Sequence, residues 1–142
     1  MASGAPAASL LPLAAMAGLT LAVWLRLYQV RFGEMARRRI EPQSIASSAA
    51  RDATFADTRA SDNFRNLFEL PVLFYTGVLA AATLGATDAA LHALAWAFVA
   101  LRVAHSLIHC SYNRVVHRFV AYALGALALF VYWARLSWIL LG

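Results

Sequence analysis

Residues 62–84 read DNFRNLFELPVLFYTGVLAAATL, a run that is almost wholly apolar after its first turns. A membrane-spanning helix needs about 20 such residues to cross a hydrocarbon core of about 30 Å. Three further runs meet this requirement, SLLPLAAMAGLTLAVWLRLY at 9–28 and the stretches at about 88–110 and 115–141. Since short connections make successive spans antiparallel neighbours, the sequence predicts an all-α membrane protein, a four-transmembrane-helix up-down bundle in a single domain.

The composition agrees with a lipid environment. Hydrophobic residues make up 62% of the 142 residues and charged residues 13%, against about 45–50% and about 25% in soluble domains. A single cysteine, Cys110, excludes an internal disulfide and any metal site built from several thiolates. The basic residues flank apolar runs and form no nucleic-acid-binding motif, so the expected partner is the lipid bilayer and not a nucleic acid.

Arginines predict the orientation. The polar segment 29–61 contains Arg31, Arg37, Arg38, Arg39, Arg51 and Arg59, and the connection between the third and fourth spans is followed by Arg114 and Arg118. The N-terminal residues and the GATD turn at 85–88 carry no basic residue. The positive-inside rule therefore places both basic connections in the cytoplasm and both termini on the opposite side. In the second span, Pro71 predicts a kink; Thr87 or Asp88 is expected to cap the third.

Ionisable residues inside spans are costly and often functional. In the third span Arg102, His105 and His109 follow the spacing of one helix face. Asn66 and Glu69 share a face of the second span. Glu69 and Arg102 lie at nearly equal sequence distances from the hairpin tip near Ala86, a mismatch of about 1.5 Å in depth. The sequence thus predicts an intramembrane ion pair between Glu69 and Arg102.

The same counting from a tip near Asn113 places His109 level with Arg118 and His105 level with Tyr122. Together these depths predict one polar pocket open to the cytoplasm. Purely structural roles remain as alternatives. The Glu69–Arg102 pair could hold two helices together, the two histidines could serve as contacts between helices, and Arg118 could extend to the membrane surface as an anchor. No third ligand accompanies the two histidines at a recognisable spacing, so no metal site is expected.

Two motifs resemble a known family. NLFELP, residues 66–71, resembles the Asn-x-x-Glu-x-x-Pro core of the MAPEG family, the membrane-associated proteins in eicosanoid and glutathione metabolism, with the proline one residue early. RVAH at 102–105, with Arg118 and Tyr122 downstream, is similar to the microsomal prostaglandin E synthases of that family. The resemblance implies a four-helix subunit, a homotrimer, and glutathione bound between subunits near the cytoplasmic side.

The resemblance also implies roles for individual residues. Asn66, Glu69, Arg102 and His105 would bind glutathione as co-substrate, with His109 and Tyr122 in the same pocket, and Arg118 would be catalytic. A fixed guanidinium stabilises a thiolate, since a free thiol has a pKa of about 8.5. Two departures are Asp62, where the synthases have an arginine, and Phe64, where they have a histidine.

The expected function is that of a glutathione-dependent membrane transferase or peroxidase acting on lipophilic electrophiles or lipid peroxides. A non-catalytic lipid-binding or scaffold protein is the alternative, because family membership does not establish activity. An ion-coupled transporter is disfavoured, because four helices without inverted repeats are few for that role. The segment NLFELPVLFY, residues 66–75, resembles a bacterial branch of the family. This resemblance implies that the protein lies in a bacterial inner membrane.

Overall fold

A computed structural model describes residues 9–86 and 88–142. Among these residues, four helical stretches are long and apolar enough to cross a membrane: Leu11–Arg38, Arg59–Thr83, Ala89–Cys110 and Val115–Leu141. The second of these stretches consists of two helices. The individual elements are α1 (Leu11–Arg38), a 3₁₀ turn (Pro42–Ile45), α2 (Ser48–Thr54), α3 (Arg59–Asn66), α4 (Leu70–Thr83), α5 (Ala89–Cys110) and α6 (Val115–Leu141). The predicted all-α bundle of four spans is confirmed.

The first helix continues past its predicted end at Tyr28 as far as Arg38. Near its end Glu34 is buried, and its carboxylate accepts hydrogen bonds from the Ala56 amide at 2.9 Å and from Arg38. Arg38 also donates to the carbonyl of Thr54 at 2.6 Å. The polar segment after α1 is therefore folded back against that helix, at the end of the bundle that carries most of the arginines. We call this the basic end, and it also includes the α5–α6 turn at 111–114.

The second span is interrupted between α3 and α4. Leu67 closes α3, and Glu69, with φ −97° and ψ −106°, precedes the first residue of α4. Pro71 lies in the first turn of α4, where its ring excludes a continuous helix through residue 67. The kink predicted at Pro71 is confirmed, and it takes the form of a break that releases backbone carbonyls of the preceding turn.

The core lies where α4, α5 and α6 meet. Phe74 stacks on Phe98 with ring centroids 4.7 Å apart. Gly77 lets α6 approach α4 closely, because a Cβ atom there would meet Tyr132 Cε1 at 3.1 Å. The Tyr132 hydroxyl donates to the Gly77 carbonyl at 3.3 Å. Large apolar side chains such as Leu107 cover much of the outer surface, as expected for a protein that faces lipid.

Opposite the basic end, the α4–α5 turn is fastened to α6. Asp88 caps α5 by accepting from the Ala90 amide at 2.8 Å, as the sequence predicts. Its carboxylate also accepts from Arg135 at 2.6 Å. These two interactions, the amide first and the guanidinium second, hold the pKa of Asp88 below its usual value. Thr87, the other predicted cap, lies outside the described residues.

Candidate functional site

Three polar side chains of α5 are buried inside the bundle near the basic end. Arg102, His105 and His109 expose 0%, 3% and 2% of their surface. Their spacing places them on one face of α5, which packs more extensively against α6 than against any other helix. The shared face that the sequence predicts for these three residues is thus present, and it is turned into the bundle.

The guanidinium of Arg102 has one hydrogen bond to the described part of the chain. Its Nη2 donates to the backbone carbonyl of Asn66 at 2.8 Å. In an uninterrupted helix that carbonyl would accept from the amide of Leu70, so the break in the second span makes it available. The half-buried Tyr122 of α6 packs beside the same guanidinium, with its ring centroid 5.5 Å away.

The two histidines are held in defined tautomers by Arg118. His105 Nδ1 donates to the Arg118 carbonyl at 2.9 Å, since a carbonyl oxygen can only accept. In the neutral His105 ring the other nitrogen, Nε2, is therefore an acceptor. His109 Nε2 accepts from Arg118 Nη1 at 2.9 Å, so the His109 ring is neutral with its proton on Nδ1.

Four buried polar atoms of this cluster have no hydrogen-bond partner among the described residues. They are Arg102 Nε and Nη1, His105 Nε2 and His109 Nδ1. Buried polar groups are nearly always paired, and each exception calls for an explanation such as a ligand. Three of these atoms are hydrogen-bond donors, which can bind an anionic group of a ligand. The fourth, His105 Nε2, is an acceptor, which can take a proton from the same ligand.

The predicted ion pair between Glu69 and Arg102 is wrong. Five side-chain ion pairs join residues in the described ranges, and none connects these two groups. The depth count assumed a straight second helix, but the break before α4 leaves the Glu69 side chain exposed on the outside of the bundle. The Asn66 amide nitrogen, oriented to satisfy its hydrogen bonds, donates to both Glu69 carboxylate oxygens at 3.1 Å.

A cationic cavity on the other side of α3 was not predicted from the sequence. It has a volume of about 350 Å³ and lies between α1, α3 and the segment that joins them. Its lining includes three arginines and three aromatic residues, which are Arg31, Arg51, Arg65, Trp24, Tyr28 and Phe64. The signal in the sequence is the seven-residue spacing from Trp24 to Arg31, which is visible only if α1 is taken to continue past Tyr28.

A second group that the sequence analysis missed links α3 to α5. Asn63 is fully buried; its amide nitrogen donates to Cys110 Sγ at 3.4 Å, and its oxygen accepts from Ser106 at 3.3 Å. These contacts fix α3 against α5 and so set the position of Asn66 one turn later. Small polar residues at 63 and 106 were the only indication.

Fold and site together define a four-span membrane protein with a buried, positively charged cluster near its basic end. The family model of the MAPEG family matches residues 9–138. The chain therefore belongs to the MAPEG family, whose members are membrane proteins of glutathione and eicosanoid metabolism. Neither the curated proteins nor the solved structures compared with the chain match it.

Proposed function

We propose that this protein is a glutathione-dependent transferase or peroxidase that acts on lipophilic electrophiles or lipid peroxides in the membrane. The observation that carries the proposal is the set of four buried, unpartnered atoms on Arg102, His105 and His109. A cluster that is structural only would have these donors and acceptors paired within the protein. A peptide with carboxylates and a thiol supplies the missing partners.

Charge complementarity supports glutathione as the ligand. Glutathione has two carboxylates, and the sequence lacks the family arginine at position 62, where this chain has Asp62. The arginines Arg31, Arg51 and Arg65 supply positive charge in the cavity between α1 and α3. Arg65 is already paired with Asp52 at 2.9 Å. Arginine binds carboxylates with two parallel hydrogen bonds, so Arg31 and Arg51 can take over the part that the missing arginine plays.

In the proposed chemistry Arg118 stabilises the thiolate of glutathione. Its guanidinium uses Nη1 for His109 and Asn113, which leaves Nε and Nη2 free to donate to sulfur. His105 Nε2 accepts the thiol proton, because its Nδ1 is committed to the Arg118 carbonyl. The thiolate then attacks an electrophilic carbon, a sulfur–carbon bond forms, and the leaving group departs.

We further propose that the protein is a homotrimer whose active sites lie between subunits. Glu69 is an ionisable side chain within a membrane span, yet it is exposed on the isolated subunit. A carboxylate facing lipid is costly, and a second subunit packed over it would remove that cost. The arginine-rich end would face the cytoplasm of a bacterial inner membrane, with both termini on the other side.

The test is the rate of glutathione conjugation to an aromatic chloronitro substrate by the purified protein. Arg118→Ala is expected to lower this rate by about 10²–10³, because it removes a charge that stabilises the developing anion. Arg114→Ala, at an exposed arginine in the same turn, is the matched control and should retain full activity. Equal rates for Arg118→Ala and the wild type, or no activity above the spontaneous reaction, would favour a non-catalytic lipid-binding or scaffold role.

A further inference from the structure

Arg118, in the first turn of α6, is fixed through its side chain and through its backbone carbonyl. Nη1 donates to His109 Nε2 at 2.9 Å and to Asn113 Oδ1 at 2.7 Å. The Arg118 carbonyl accepts from His105 at 2.9 Å. Both protons of Nη1 are thus used within the protein, which determines the plane of the guanidinium and the direction in which Nη2 and Nε point.

Asn113 supplies one of these contacts from a turn with a constrained backbone. It has a positive φ of 50°, a conformation that asparagine adopts more readily than other side chains except glycine. Its backbone N–H donates to the carbonyl of Ile108 at 2.9 Å, so the α5–α6 connection is hydrogen-bonded to the C-terminal end of α5. Arg59 donates to the Ser111 carbonyl and ties the same turn to α3.

We infer that Asn113 is a positioning residue, which acts on the reaction by orienting Arg118 toward the thiol. This inference rests on the proposed function and names a residue that the sequence motifs do not include. Among the described residues, the Asn113 side chain has its hydrogen bond with Arg118 and none with Arg102 or with the unpartnered atoms of the cluster. A guanidinium free to rotate would spend less time with its donors on sulfur, and misplacement by about 1 Å can lower a rate about 10²-fold.

The test separates the side chain of Asn113 from its backbone. Asn113→Gly removes the acceptor and still permits the positive φ, whereas Tyr112→Phe, in the same exposed turn, is the matched control. The measured quantity is the pKa of the thiol of bound glutathione, followed by ultraviolet absorbance of the thiolate. Asn113→Gly should raise this pKa by about one unit, equivalent to a tenfold loss of thiolate stabilisation, and Tyr112→Phe should leave it unchanged.

A double variant shows whether Asn113 acts through Arg118. In an Arg118→Ala background, Asn113→Gly should cause no additional rise of the thiol pKa, because the two residues then share one effect. Asn113→Ala removes the same acceptor of Nη1, should also raise the thiol pKa, and serves as a second variant if Asn113→Gly does not fold.

The outcomes distinguish the two proposals. If the wild type forms thiolate, Arg118→Ala raises the thiol pKa, and neither Asn113→Gly nor Asn113→Ala does, the inference is overturned and the proposed function stands. If Asn113→Gly changes the pKa equally in both backgrounds, its effect does not pass through Arg118, and the inference is again overturned. If the wild type binds no glutathione or forms no thiolate, both proposals are overturned.

Discussion

Arg102 is a fully buried cation with one hydrogen bond to the described part of the chain. Its replacement should therefore affect glutathione binding more than the stability of the fold. A buried charge is costly unless it is paired and hydrogen-bonded, so replacing it by an apolar side chain of similar volume removes that cost. We expect Arg102→Met to melt at the same temperature as the wild type or higher in detergent without glutathione. The variant should lose the stabilisation that glutathione gives the wild type, about 2.7 kcal/mol at 100 times the dissociation constant.

Arg26→Met, which removes an exposed arginine of α1, is the control for the loss of one positive charge. Its melting temperature should rise with glutathione as that of the wild type does. An Arg102→Met variant that is strongly destabilised and yet keeps its response to glutathione would show that Arg102 is a structural clamp.

For individual residues, the sequence predicted the positions of the α5 side chains well and those of the second span poorly. Helical periodicity alone placed Arg102, His105 and His109 on one face, because α5 is continuous from Ala89 to Cys110. The contact of Arg118 with His109 also followed from counting residues across a short turn. Glu69 could not be placed by counting, because its backbone departs from helical geometry at the break.

The break between α3 and α4 is the element that prepares the Asn66 carbonyl for Arg102, and Pro71 maintains it. Pro71→Ala restores an amide donor to the first turn of α4 and allows the helix to close across the break. We expect this variant to fold with unchanged or higher stability and to bind glutathione at least about tenfold more weakly. The loss follows because the Asn66 carbonyl would return to the helix and leave Arg102 without its anchor.

Pro12→Ala is the matched control, because Pro12 lies in the first turn of α1, far along the chain from the site. Its glutathione affinity should equal that of the wild type, measured for both variants by isothermal titration in detergent. Wild-type affinity in Pro71→Ala would mean that the break has no part in binding.

The turn before α5 predicts a dependence of stability on pH. Because the folded-state pKa of Asp88 is lowered, its contribution to stability is present above its unfolded pKa of about 3.9 and is lost as the pH falls through the folded value. Asp88→Asn should therefore melt at a lower temperature than the wild type near neutral pH. The difference should shrink below about pH 4, and a difference that grows on acidification would contradict this assignment.

Among the elements, the sequence predicted the fourth span and the cap of the third closely. It ended α1 too early, because Tyr28 and Arg26 were taken as anchors at the membrane surface, whereas the helix continues and places Arg31 in a cavity. The contacts of Glu34 with the segment after α1 involve residues distant in sequence. Long-range contacts of this kind leave no periodic pattern, and so the cationic cavity could not be predicted.

For the whole molecule, the exposed Glu69 predicts assembly. We expect native mass spectrometry in mild detergent to give a trimer for the wild type. Small residues let helices pack closely: Gly125 packs against Leu101 of the same chain, whereas Gly18 has open space around it and could contact a second copy. A monomer that retains glutathione binding would contradict assembly as a condition for the site.

The central claim is that the buried atoms of Arg102, His105 and His109 are partners of glutathione. The most direct measurement is an experimental structure of the purified protein in the membrane-mimetic in which it binds glutathione. We expect glutathione to accept hydrogen bonds from Arg102 Nε or Nη1 and from His109 Nδ1, with its sulfur within hydrogen-bond distance of Arg118. Glutathione bound elsewhere, with those atoms paired to protein groups alone, would contradict it.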